Sequence, residues 1–132
     1  MQISITLLYG GALALVFLVL SIRVIQGRGG KDGPSLGDGG NPMMLRRIRA
    51  HGNFAEYVPI ILVLMGLLEA SGTSPWIVHA LGASLLVGRL FHGYTFAFSE
   101  YFAFGRIAGI LLTLLALLAA GGLALWTGVN AL

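Results

Sequence analysis

The chain has 132 residues, of which 57% are hydrophobic and 10% charged, and its mean hydropathy is +0.89. A soluble domain carries about 25% charged residues, so this composition is that of an integral membrane protein of one domain. Eight basic and five acidic residues leave a net charge of +3, too small and too scattered for a nucleic-acid partner. The absence of cysteine excludes a disulfide framework, a thiolate metal site and a protein thiol nucleophile; thiol chemistry would need a thiol carried in on a small molecule.

Ile3 to Ile22 is uncharged, and about twenty such residues span a bilayer core. With no basic region before it, the run reads as a retained helix rather than a signal peptide. Gly10-Gly11 inside it suits close packing against another helix. The first helix is expected over about 3–26. The segment 27–42 is dense in glycine, too much so for helix or strand, and reads as a flexible connector. Arg28 stands where the first helix leaves the membrane.

Asn41-Pro42 is a helix start, with Asn as N-cap and Pro at the first helical position, and the second helix is expected over about 43–69. At 100° per residue, Arg46, Arg49, Asn53, Glu56 and Ile60 fall on about a quarter of its circumference. Arg46 and Arg47 are accounted for by membrane topology. Glu56 is not, because topology rules count Lys and Arg and largely ignore acids. Polar groups at this depth are costly unless they pair or face a wet cavity, so Arg49, Asn53 and Glu56 form a candidate ligand site or inter-helix network. Pro59 inside the helix is expected to bend it.

Ser71 to Pro75 is a short turn without basic residues. The third helix, about 75–96, carries Arg89, His92 and Phe96 on one face, and His79 near its other end reads as a headgroup or packing residue. No His and carboxylate set has metal-ligand spacing. The link that follows holds Glu100 and Tyr101, and the fourth helix is expected over about 104–127. Arg106 stands at its start, where a cation opposes the helix dipole; topology or an anionic ligand would each account for it. Trp76 and Trp126 read as aromatic anchors at the opposite interface.

Nearly all Lys and Arg fall in the first connection or on the helix ends that flank the first and third connections. By the positive-inside rule these face the cytoplasm, with both termini on the other side. The expected fold is therefore all-α, a four-transmembrane-helix bundle, with Arg28, Arg49, Asn53, Glu56, Arg89, His92 and Arg106 toward the cytoplasm. Several guanidiniums, one carboxylate and one amide complement a small zwitterion with excess negative charge, since arginine takes carboxylates bidentately. Surrounding lipid suggests a second, apolar substrate.

Arg49-Ala50-His51-Gly52-Asn53-Phe54-Ala55-Glu56-Tyr57-Val58-Pro59 resembles the signature of the MAPEG family, the membrane-associated proteins of eicosanoid and glutathione metabolism. Gly88-Arg89-Leu90-Phe91-His92 resembles its third-helix element, and Gly105-Arg106 resembles the arginine opening its fourth helix. The resemblance implies a homotrimer that binds glutathione between subunits. Carried over by position, Arg49, Asn53 and Glu56 would hold the tripeptide, with His51 and Tyr57 adjacent. Arg89, His92 and Tyr94 would contribute from the third helix. Arg106 would face the thiol, with Arg28 as a further catalytic candidate. The implied activity is a glutathione transferase or peroxidase acting on hydrophobic electrophiles. The alternative is a non-catalytic lipid-binding or scaffold protein that retains the pocket. Phe96 stands where the family's enzymes often place tyrosine, and Ile107 where the prostaglandin-synthase branch has serine, which speaks against prostaglandin isomerisation.

Overall fold

The computed structural model describes residues 3–31, 33–100 and 102–132; Tyr101, expected in the third connection, lies outside the described residues. Four helices follow in order: α1 (Ser4–Arg28), α2 (Pro42–Ala70), α3 (Pro75–Ala97) and α4 (Ala103–Asn130). The protein is an all-helical four-helix bundle. α1, α2 and α4 are long and apolar enough to cross a membrane. α3 has no stretch as apolar as theirs; Arg89, His92 and Thr95 stand in its second half, and all three are buried inside the protein rather than turned to lipid.

The sequence sets these helix ends by local chemistry. The Asn41 side chain accepts from the backbone N–H of Met43 at 2.9 Å and of Met44 at 3.2 Å. Two of the orphan donors of α2 are thereby satisfied, and Pro42 at the first helical position has no N–H to satisfy. α2 continues through Pro59. Gly72, at a φ of +84°, lets the chain reverse into Ser74-Pro75 and α3. α1 has no cap of its own. Its cap comes from the end of α2: Glu69 accepts from the N–H of Ile5 and of Thr6, each at 2.8 Å.

α3 packs against α1, α2 and α4, and α2 does the same against α1, α3 and α4, while α1 and α4 make no backbone approach to one another among the described residues. The core runs along this middle layer through Phe54, Ile61, Met65, Val78 and Leu85. Leu7, Leu15 and Leu18 of α1 and Leu111, Leu118 and Leu125 of α4 are exposed, as apolar residues that meet hydrocarbon should be.

α3 and α4 touch backbone to backbone. A Cβ on Gly109 would lie 2.8 Å from the His92 nitrogen and 3.0 Å from the Gly88 carbonyl oxygen. Only glycine permits that approach, and it brings Arg89 and His92 against the first turns of α4. At one end of the bundle, Arg23 donates to the Ala97 carbonyl at 3.2 and 3.0 Å and lies over the Phe98 ring. Arg47 donates to the Arg23 carbonyl at 3.2 Å, and Arg46 donates to the Glu100 carbonyl. The end of α1, the start of α2, the end of α3 and the start of α4 thus share this basic end.

Candidate functional site

Arg49 and Asn53 sit one turn apart on α2, and α3 presents His92 and Phe96, also one turn apart. α4 presents Arg106 and Ile110. These six side chains line one cavity of about 350 Å³. None of the six is acidic, so the cavity has a positive, amide-bearing wall and an apolar one. The His92 ring stacks on Phe96 with centroids 4.6 Å apart. The Arg106 guanidinium also lies over that ring, 5.8 Å from its centroid; a cation over an aromatic face is favourable.

Behind this cavity lies Arg89, only 1% exposed. Counting from the end of α3, it is about 12 Å into the bundle. Its Nη1 donates to Asn53 Oδ1 at 2.7 Å and its Nη2 to Thr113 Oγ1 at 2.6 Å, while its Nε has no partner among the described residues. Thr113 in turn donates to the Gly109 carbonyl at 2.8 Å. One guanidinium thus ties α2, α3 and α4 together through neutral oxygens. A buried cation held this way is costly until an anion comes near, and Asn53 belongs both to this network and to the cavity wall.

A second cavity, of about 340 Å³, adjoins the first through Phe96 and Arg106, which line both. Its remaining wall includes Thr95, Phe102, Ile107 and, at the basic end, Arg46. Arg106 therefore stands between a polar chamber and a largely apolar one.

The other candidates fall elsewhere. Glu56 is exposed on α2, on the same outward face as the exposed Arg49, and lines none of these cavities, and Tyr57 is half-buried. His51 stacks on Phe17 of α1, with centroids 4.5 Å apart, and Phe17 stacks on Phe54 in turn; it faces α1 and not the cavity. Tyr94 meets Phe102 edge-on and stacks on Phe98, lining an apolar groove with Val16 and Leu90. Arg28 gathers the glycine-rich connector, donating to the Pro34 carbonyl at 2.9 Å and the Gly37 carbonyl at 3.2 Å. Among the described residues no cluster of His, Asp and Glu could hold a metal ion. Thr113 was not singled out in the sequence, being hidden in a leucine run. Its signal was the stripe of small residues Gly105, Gly109, Thr113, Ala116 and Ala120, all buried.

A bundle of apolar helices with a cationic cavity at its basic end is the class of protein the fold defines: a helical membrane protein. The chain belongs to the MAPEG family, whose profile matches residues 6–126, and it is an integral membrane protein of that family of eicosanoid and glutathione metabolism. It is 42% identical over 89 residues, 67% of either chain, to the inner membrane protein YecN of Escherichia coli strain K12, and to the same degree to its counterpart in Escherichia coli O6:H1. No solved structure matches.

Proposed function

We propose that the protein binds glutathione in the polar cavity and transfers its thiolate to hydrophobic electrophiles. The observation that carries this reading is the lining itself: Arg49, Asn53, His92 and Arg106 around one cavity without an acid, backed by the uncompensated guanidinium of Arg89. Glutathione carries two carboxylates for such a wall and one ammonium, for which Glu56, on the same face of α2 as Arg49, is the complement. Arg106 is the cation placed where both chambers meet. A sulfur there would be held as thiolate by the opposite charge beside it, and the thiolate is the nucleophile.

The working particle in this reading is a homotrimer. Arg49, Glu56, Ile60, Val63 and Leu67 leave one side of α2 uncovered in the protomer, and a neighbouring subunit over it would close the cavity and desolvate Glu56. The positive-inside rule puts the basic end and the cavity on the cytoplasmic side and both termini on the other. A second reading, a lipid-binding or scaffold protein that keeps the pocket without turnover, is favoured by one feature: Phe96 puts a ring without a hydroxyl on the cavity wall. The deciding experiment is calorimetry of glutathione with the purified protein and with Glu56→Gln, beside turnover of a broad electrophile. Binding that weakens roughly ten- to a hundredfold in the variant, the loss of one charged hydrogen bond, supports the site. Unchanged affinity removes Glu56 from it, and binding without turnover selects the second reading.

A further inference from the structure

The apolar chamber is not featureless at its basic end. Arg46 reaches into its wall from the first turns of α2. Its two terminal nitrogens are held by the Glu100 backbone carbonyl and, at 3.8 Å, by the Met43 sulfur. Neither partner is a carboxylate, so the guanidinium is anchored without being neutralised. Its Nε is buried and has no hydrogen-bond partner among the described residues. Phe96 and Phe102 supply aromatic faces between Arg46 and the shared wall at Arg106. Glu100, an exposed residue, also lines this chamber, and no ion pair forms between its carboxylate and Arg46, whose contact is with the Glu100 backbone carbonyl. The chamber thus has a cation at its outer end, rings along its length and the thiolate-facing arginine at its inner end.

We propose that this chamber is the acceptor-substrate site, and that it takes aromatic electrophiles that carry a carboxylate, with the carboxylate held by Arg46 and the reacting carbon turned toward Arg106. This rests on the reading of the polar cavity as the glutathione site. Topology alone asks only that Arg46 be a cation near the membrane surface; it does not ask for a buried donor in the wall of an aromatic-lined cavity. Aromatic rings bind flat substrates in offset or edge-on contact, and a cation already anchored in the chamber wall meets a carboxylate at little further entropic cost. For an aryl chloride such as 4-chloro-3-nitrobenzoate, the glutathione sulfur bonds to the ring carbon that bears chlorine. The carbon–chlorine bond breaks, chloride leaves with the electron pair, and the thiol proton passes to water.

Two measurements separate this proposal from the one beneath it. The first is equilibrium binding of radiolabelled 2-naphthoate, which cannot react, to the full-length protein without glutathione. Wild type and Arg46→Lys should bind it, Arg46→Gln should bind roughly tenfold more weakly, the loss of a charge-assisted contact, and Ala103→Leu, which fills the chamber, should not bind it. Equal affinity in wild type, Arg46→Gln and Ala103→Leu overturns the proposal. The second is kcat/KM for 4-chloro-3-nitrobenzoate against its methyl ester, each divided by its uncatalysed rate with glutathione. Wild type should favour the acid by about tenfold and Arg46→Gln should lose that preference. Turnover without any preference for the acid overturns the acceptor assignment and leaves the glutathione site standing. Naphthoate binding in a protein that binds no glutathione overturns the glutathione reading and leaves the carboxylate site standing.

Discussion

Arg89 and Thr113 form the shortest side-chain link between α3 and α4, the Arg89 Nη2 lying 2.6 Å from a Thr113 oxygen that is itself fully buried. The hydroxyl proton of Thr113 goes to the Gly109 carbonyl, which leaves an oxygen lone pair aimed at the guanidinium. Thr113→Val keeps the shape and removes that acceptor. A hydrogen bond to a buried charge is worth about 1.5–3 kcal/mol, so the variant should lose stability of that order and unfold at lower temperature in detergent, whereas Thr113→Ser should stay close to wild type. An Asn53→Ala, Thr113→Val pair should be non-additive, because both residues share one guanidinium. Additive losses would show that Arg89 does not couple α2 to α4.

Glu69 caps a helix that is not its own. Its two oxygens take the N–H groups of Ile5 and Thr6, which α1 cannot satisfy internally, and its negative charge meets the positive end of the α1 dipole. Glu69→Ala should cost about 0.5–2 kcal/mol, the range for losing an N-cap. The specific readout is amide hydrogen exchange. Ile5 and Thr6 should exchange faster in the variant, while amides near Leu13, buried in the middle of α1, keep their protection. Uniform acceleration along α1 would mean that the carboxylate holds the whole helix in place and not only its first turn.

The close approach of Gly88 and Gly109 admits no side chain. A methyl group on Gly109 would meet backbone atoms, the His92 nitrogen and the Gly88 oxygen, and backbone cannot swing aside. Gly109→Ala should therefore separate α3 from α4 and cost about 1–3 kcal/mol by overpacking. Gly121→Ala, further along the same helix with nothing near its added carbon, should be neutral or slightly stabilising, as glycine-to-alanine changes in helices are. Because the crossing places His92 opposite Arg106, Gly109→Ala should also weaken glutathione binding, and Gly121→Ala should not.

Four helices and their order were legible because apolar runs and their punctuation, Asn41-Pro42 and Ser74-Pro75, are local signals. Arg49, Asn53, His92 and Arg106 were legible because polar groups at membrane depth are expensive, and the fold brings these four to one cavity. What sequence could not show depends on which way each helix is turned. His51 and Asn53 are neighbours in one motif, yet 200° of helical rotation sends one to Phe17 and the other to Arg89. Arg46 satisfies a topology rule, so its place in a cavity wall was masked by an adequate simpler account. Glu69 ends its own helix and its partner is α1, more than sixty residues earlier, a pairing that no local pattern encodes. His79, expected as a headgroup or packing residue, hydrogen-bonds Tyr9 at 3.3 Å across α1 and α3.

Arg106 is the residue at which chemistry and grip can be tested apart. It stands in the first turn of α4, where the helix dipole disfavours a cation, and its side chain lies over Phe96 at the wall shared by the polar and apolar chambers. Arg49 and Asn53 line the polar chamber only. A cysteinyl thiol with a pKa of about 8.5 is only a few per cent ionised at neutral pH, and a neighbouring cation lowers that value by one unit or more. A thiol whose bound pKa is depressed is ionised above that value and reverts to thiol as pH falls through it. Removing Arg106 should move the transition back upward, so the loss of activity is largest near pH 7 and shrinks as pH approaches 9. Arg106→Leu should thus slow conjugation at pH 7 by roughly ten- to a hundredfold, while the dissociation constant for glutathione changes much less. The measurement is thiolate ultraviolet absorbance titrated against pH with glutathione bound, for wild type and variant, beside the rate at each pH. An unchanged titration with an unchanged rate would reduce Arg106 to a topology marker. A large loss of affinity with an unchanged thiolate titration would place its charge on a glutathione carboxylate instead of the sulfur.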